Sequence, residues 1–151
     1  MSEESPVRRF QDFRWQQVDL LAYKQEGDAP FKDITRQVLF QFPDLDGELR
    51  YFEMAPGGHS TLERHQHRHA VMILRGHGRC LVKDKVFNVG PNDLVDIAAL
   101  SWHQFKADAG EPLGFLCLVN VLRDKPQLPT ESDLAELRRL PGLSAFLTET
   151  C

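Results

Sequence analysis

The chain has 151 residues, which favours a single domain that is large enough to bury its own core. Its net charge is −4, so it has no basic excess with which to neutralise the phosphates of a nucleic acid. The polar N-terminus and the lack of a long apolar run predict that the chain has neither a signal peptide nor a membrane span. We therefore expect a cytoplasmic protein.

The predicted elements divide the chain into three parts. Residues 1–33 are expected to form an N-terminal arm that contributes a strand. Residues 34–122 hold about eight short apolar runs separated by turn signals at intervals of roughly 8–12 residues, which predicts an all-β sandwich or barrel. Residues 123–151 begin with a proline-containing linker, and Thr130–Asp133 is typical of a helix start. We expect this segment to form a short C-terminal helix packed on the barrel.

Several runs within the barrel segment predict a particular conformation or degree of burial. Leu49–Met54 alternates apolar and polar residues, which predicts a strand with one buried face. Pro56–Gly58 is expected to form a turn. Phe115–Val121 is almost continuously apolar and is expected to be buried on both faces. Cys80 and Cys117 lie in apolar runs, and we expect both to be buried core residues.

Four of the six histidines lie in one stretch between Gly57 and Gly76. His65, His67 and His69 occupy alternate positions, and Glu63 stands two residues before the first of them. Imidazole nitrogens and a carboxylate at this density are a typical set of ligands for a divalent transition metal.

Strand geometry limits how these side chains can share one metal. In a straight strand, Glu63 and His69 would lie roughly 20 Å apart, whereas metal–ligand bonds are about 2.1 Å long. The chain must therefore turn if both ends bind the same metal, and residues 66–68 are the expected position of that turn. A second strand would then begin at His69. His103, which lies in a strand of its own, is the expected fourth ligand.

The stretch resembles the first conserved motif of the cupin superfamily, which consists of small double-stranded β-helix barrels. That motif has a glycine, five residues, His-x-His, three or four residues, a glutamate, six residues and a glycine. Threaded without gaps, the two glycines are Gly57 and Gly76, and the ligand positions fall on Glu63, His65 and His69.

A second threading keeps His-x-His literally and makes His65, His67 and His69 the ligands. We prefer the gapless register, in which His67 lies at the turn beside the ligands or at the rim of the pocket. The second cupin motif is weaker in this chain, because only its histidine, His103, is present.

The resemblance implies a jelly-roll-like barrel of the double-stranded β-helix type. It implies one divalent transition metal, which could be Fe, Mn, Ni, Co or Zn, bound by Glu63, His65, His69 and His103. The pocket for a small polar molecule would then be lined by Val71, Ile73, Phe105 and Cys117.

The resemblance also implies the class of function. We expect a metal-dependent enzyme of the dioxygenase, isomerase or lyase type, similar to small bacterial cupins of uncharacterised activity. The alternative is a cupin that binds a small molecule without catalysis. By analogy with the family the protein would be a homodimer. The net charge and the lack of a long apolar run predict that neither a nucleic acid nor a membrane is a partner.

Overall fold

A computed structural model describes residues 5–23 and 32–148. The predicted N-terminal arm and the predicted C-terminal segment therefore lie partly outside the described residues. None of the described helices is both long and apolar enough to cross a bilayer.

Eleven strands and two helices form in the described residues, and eight of the strands fall in the segment predicted to be a barrel. The strands are β1 (Phe10–Gln11), β2 (Arg14–Trp15), β3 (Leu21–Ala22), β4 (Lys32–Phe40), β5 (Gly47–His59), β6 (His69–Arg75), β7 (Gly78–Val82), β8 (Lys85–Val89), β9 (Leu94–Ile97), β10 (His103–Ala107) and β11 (Leu113–Asn120). The helices are α1 (Glu131–Arg138) and α2 (Leu143–Thr148).

The main sheet has nine strands and curls into a half-barrel. Its central path runs β8-β7-β10-β5-β11-β6-β9, while β4 pairs with β5 and β3 pairs with β4. Strands β1 and β2 form a separate ribbon. All of the described strand pairs are antiparallel. The prediction of an all-β barrel with a helical C-terminus is confirmed, although the C-terminus forms two short helices rather than one.

The concave face of the sheet carries the main hydrophobic core. Its most deeply buried members are Met54, Ile73, Cys80, Ile97 and Leu113, each with no exposed surface. Cys117 is almost as deeply buried, so the expectation that Cys80 and Cys117 are core residues is correct.

Two smaller clusters cover the outside of the sheet. On one side, the helices place Leu137, Leu143 and Phe146 against Leu62 and Leu81. Thr130 caps α1 with its side chain, as its position before an acidic first turn predicts.

On the other side, the N-terminal arm covers strands β4 and β5. Phe13 and Trp15 pack on Tyr51, with ring centroids 6.0 and 5.3 Å away. Because the arm covers this outer face, β5 is buried on both sides around Tyr51.

Three expectations about individual strands are wrong. Pro56–Gly58 forms no turn, because β5 continues through it to His59 with Gly57 at φ +74° and a shift of register against β4. Strand β11 is not buried on both faces throughout, since Leu118 is half exposed. The prediction that Leu49–Met54 has only one buried face is wrong, because Tyr51 is buried on one face and Arg50 and Met54 are buried on the other.

Candidate metal centre

One cavity of about 700 Å³ brings together the histidines and a ring of polar and aromatic residues. Its size is typical of a site for a small metabolite. The polar lining contains Tyr23, Arg36, Arg50, Glu63, His65, His67, His69, His103, Arg123, Asp124 and Lys125, and the apolar lining contains Ile34, Phe52, Met54, Phe105, Phe115 and Cys117.

Three histidines converge on one point of this cavity. His65, His69 and His103 each offer a ring nitrogen, and these three atoms lie within 4.8 Å of one another. The chain bends at Gln66 and His67, and β6 begins at His69. The predicted turn at residues 66–68 is therefore present, and it brings His65 and His69 to within 4.3 Å between ring centroids.

The hydrogen bonds of two of these rings direct a lone pair into the cluster. Nδ1 of His65 lies 2.7 Å from the carbonyl oxygen of His67, and Nδ1 of His103 lies 3.0 Å from that of Ser101. A carbonyl can only accept, so both Nδ1 atoms carry the proton and both Nε2 atoms carry a lone pair. Each Nε2 is buried and has no hydrogen-bond partner in the described part of the chain.

Buried acceptors without partners are costly, and a metal ion would satisfy both. Donation of the other ring N–H to a backbone carbonyl is also the usual arrangement of a histidine that binds a metal. The donor set of His65, His69 and His103 therefore fits a divalent transition metal.

The electrostatic environment keeps these imidazoles neutral, as metal ligands must be. Burial lowers the pKa of His103 to about 4. Burial also lowers the pKa of His69, and the neighbouring His65, His103 and Arg50 add to this effect. The pKa of His65 is lowered by burial and by His67.

Glu63 lies beside this group without being part of it. The backbones of Glu63 and His103 exchange two hydrogen bonds, so their side chains share one face. Oε1 of Glu63 lies 4.0 Å from Nε2 of His103. Two ligands of one metal can be separated by about this distance when each bond is about 2.1 Å long.

His67 lies against the cluster and is fixed by Asp124. Its ring stacks on His65 with centroids 3.7 Å apart, and its Nε2 lies 3.3 Å from Nε2 of His69. Nδ1 of His67 donates to Asp124 at 2.7 Å, and the same carboxylate accepts from the backbone N–H groups of Gln66 and His67. These bonds lower the pKa of Asp124. Asp124 thus clamps the bend that brings His65 and His69 together.

A group of cations lines the wall beside the histidines, and the sequence motifs did not point to it. Arg36 and Arg50 lie on the sheet, and Arg123 and Lys125 follow it. The sequence shows only that Arg50 shares one face of its strand with Phe52 and Met54.

Cys117 also belongs to this wall. Its Sγ lies 3.6 Å from Nη2 of Arg50, which stands opposite it on β5. Burial raises the pKa of the Cys117 thiol, and the guanidinium of Arg50 opposes that shift.

The predicted pocket lining divides into two pairs. Phe105 and Cys117 line the cavity. Val71 and Ile73 do not, because they lie within the core on the strand that pairs with β11. A run of alternate residues on one strand continues past the end of a cavity, and spacing alone does not reveal where the cavity stops.

Residues 50–119 match the sequence model of the cupin domain family. A curated relative from Rhodospirillum rubrum, named 1-methylthio-D-xylulose 5-phosphate methylsulfurylase, is 62% identical over 147 residues, which are 97% of this chain and 94% of the relative.

Two solved structures of cupin-2 proteins are also similar to this chain. A cupin 2 conserved barrel domain protein from Rhodopseudomonas palustris is 53% identical with a TM-score of 0.88, and the match covers 93% of this chain and 98% of that one. A cupin-2 domain from Rhodospirillum rubrum is 62% identical with a TM-score of 0.85, and the match covers 95% and 97% of the two chains.

Proposed function

This chain belongs to the cupin family, and from that premise we propose that it is a metal-dependent enzyme that acts on a methylthio-substituted sugar phosphate. The substrate we propose is 1-methylthio-D-xylulose 5-phosphate, and the activity is that of a methylsulfurylase. The observation that carries the proposal is the 62% identity to the Rhodospirillum rubrum methylsulfurylase over 97% of this chain.

The cavity supports a substrate of this kind. Its volume of about 700 Å³ accommodates a five-carbon sugar with two substituents. Four of its lining side chains are cationic and two are carboxylates, so the wall has an excess of positive charge suited to a phosphate ester. Phe52, Met54 and Phe115 supply apolar surface for a methylthio group.

We propose that His65, His69 and His103 hold one divalent transition metal, with Glu63 as the fourth ligand. When bound, the metal would supply a Lewis acid to the ketone oxygen of the sugar. The orientation of two of these rings is fixed by backbone carbonyl groups, that of Ser101 for His103 and that of His67 for His65. Cys117 places a thiol at the wall of the same cavity.

Other expectations from the sequence and from the family resemblance also stand as proposals. They are a cytoplasmic location, a homodimer, a small molecule rather than a nucleic acid or a membrane as the partner, and domain boundaries at residues 33/34 and 122/123. Analytical ultracentrifugation of the full chain would test the homodimer.

The test is turnover of 1-methylthio-D-xylulose 5-phosphate by the purified, metal-loaded chain. Dithiothreitol would keep the cysteines reduced, and the S-methyl proton resonance and the ³¹P resonance of the substrate would be followed by NMR. Cleavage of the C1–S bond is the expected result, with methanethiol as the leaving group, while two electrons and two protons from dithiothreitol put hydrogen in place of sulfur at C1. Tight binding of an unchanged substrate would instead support the non-catalytic cupin. If the chain neither bound nor turned over the substrate, this choice of substrate would be refuted.

A further inference from the structure

We propose that Arg36 and Arg50 form the subsite for the phosphate group of the substrate. This assignment rests on the proposed function, because it takes a phosphorylated sugar to be the ligand of the cavity. It adds the residues that recognise the phosphate and places them on the sheet wall beside the histidines.

The register of the sheet brings the two arginines together. Arg36 on β4 pairs directly with Phe52 on β5, and Arg50 lies two residues before Phe52 on the same strand. Residues two apart on a strand point to the same face, so Arg36 and Arg50 are diagonal neighbours on that face. Both side chains line the cavity, and the guanidinium of Arg50 lies 4.9 Å from the centre of the Phe52 ring.

Their hydrogen-bonding capacity is only partly used. The Nε atoms of Arg36 and Arg50 are buried and have no partner among the described residues. Within that part of the chain, the carboxylate nearest to Arg50 is Glu48 at 3.9 Å, and Arg123 already holds the same Glu48 oxygen at 2.7 Å. Buried N–H donors without acceptors are unfavourable, and the oxygens of a phosphate would satisfy them with charge-assisted bonds.

Tyr23 adds a neutral polar side chain to the same wall. Burial, with a contribution from Glu63, raises the pKa of Tyr23 to about 12, while Arg50 and Arg36 oppose the shift. The phenol therefore keeps its proton at neutral pH, so Tyr23 brings no negative charge to the two guanidinium groups.

The other cations of the cavity are less suited to this role. Arg123 already donates to Glu48 at 2.7 Å and to the carbonyl oxygen of Asn120 at 2.9 Å. Lys125 offers a single ammonium in the segment after the sheet, whereas a guanidinium matches the geometry of a phosphate with two parallel donors.

The test is calorimetric binding of D-xylulose 5-phosphate, D-xylulose and inorganic phosphate to the full chain with and without metal. The variants are Arg36→Gln and Arg36→Lys, with Lys125→Gln for the competing position. Arg138→Gln removes the same charge from an exposed position on α1 and serves as the matched control. Circular dichroism would establish that each variant is folded.

We expect the wild-type chain to bind D-xylulose 5-phosphate far more tightly than D-xylulose, and to do so without metal. Inorganic phosphate should compete for the same site. Arg36→Gln should weaken binding of the sugar phosphate by about 10- to 100-fold, because charged hydrogen bonds are lost. Arg36→Lys should weaken it by a smaller factor, and Arg138→Gln should leave it unchanged.

Three outcomes would overturn the subsite. They are equal binding by wild type and both Arg36 variants, loss of binding on metal removal, and a larger loss in Lys125→Gln than in Arg36→Gln. The proposed function is judged separately. If Arg36→Gln weakens binding of the sugar phosphate but the wild-type chain does not turn over the methylthio sugar phosphate, the subsite stands and the reaction is rejected. If the chain turns over this substrate and Arg36→Gln has an unchanged KM, the reaction stands and the subsite is rejected.

Discussion

Glu63 and His103 lie directly opposite each other, and their backbones exchange hydrogen bonds of 3.2 and 3.0 Å. This pairing holds the carboxylate 4.0 Å from the bare Nε2 of His103. It joins the motif stretch to a strand that begins 40 residues later at His103. A metal bound there would connect the same two segments a second time, so metal binding should also stabilise the fold.

Loss of a ligand should lower the metal content. We expect His65→Ala, His69→Ala and His103→Ala each to bind far less than one metal per chain, because each removes one of three converging nitrogens. Glu63→Gln should weaken the affinity by about 10- to 100-fold, since it removes a charge and keeps the shape. Elemental analysis after dialysis is the measurement.

His77→Gln is the matched control for these variants, because His77 is exposed and bonds to Glu111 away from the cavity. Equal metal content in all five proteins would contradict the site.

His67 distinguishes the two threadings of the motif. Its Nδ1 is already held by Asp124, and it lies outside the group of three converging nitrogens. We therefore expect His67→Gln to keep close to one metal per chain under the same dialysis. If His67→Gln loses the metal while Glu63→Gln keeps it, the ligands are instead His65, His67 and His69.

Asp124 should affect metal binding without touching the metal. Its carboxylate accepts from two backbone N–H groups and from the ring of His67, and an amide in its place cannot accept all three bonds. We expect Asp124→Asn to weaken metal affinity by about 10-fold, as loss of a supporting hydrogen bond commonly does.

A competitive titration with a chromophoric chelator would measure the effect of Asp124→Asn. Asp84→Asn, at an exposed hairpin turn, is the control. The clamp would be excluded if the two asparagine variants had the same affinity.

Acid should destabilise the metal-free protein. Burial lowers the pKa of His103 to about 4 in the folded state, from 6.5 for a free histidine. Between these values the unfolded chain binds a proton that the folded chain does not, so the free energy of unfolding falls as the pH drops below about 6.5. The full contribution of His103 is on the order of 3 kcal/mol.

Urea unfolding of the EDTA-treated protein at pH 7 and at pH 5 tests this dependence. His103→Gln should lose less stability over that interval than wild type does, because glutamine does not titrate. The reasoning fails if the two proteins lose stability equally.

The histidine centre could be predicted from the sequence because strand geometry left few choices. A straight strand could not bring Glu63 or His65 near His69, so the turn at residues 66–68 followed from metal–ligand distances. The structure has that turn and begins β6 at His69. Whether Glu63 coordinates depends on its side-chain conformation, which spacing does not determine.

The cationic wall could not be predicted in the same way. Alternation in Leu49–Met54 separates two faces of a strand without saying which is buried. Phe13 and Trp15 cover Tyr51 from outside, so Arg50 points inward. That packing depends on contacts between distant segments, and a motif read within one stretch does not contain it.

The reaction also lay beyond the sequence pattern. Three imidazoles and a carboxylate suit dioxygenases, isomerases and lyases alike, and nothing in their spacing points to a methylthio sugar. That choice depends on the similarity of the whole chain to one relative.

The most direct test of the proposed function is turnover of 1-methylthio-D-xylulose 5-phosphate measured against the number of metal ions bound per chain. The metal-free protein would be titrated with Mn²⁺, Fe²⁺, Co²⁺, Ni²⁺ and Zn²⁺ separately. With at least one of these ions, we predict that turnover rises in proportion to bound metal and saturates at about one ion per chain. Full turnover by the metal-free protein, or no turnover with any ion at full occupancy, would contradict a metal-dependent methylsulfurylase.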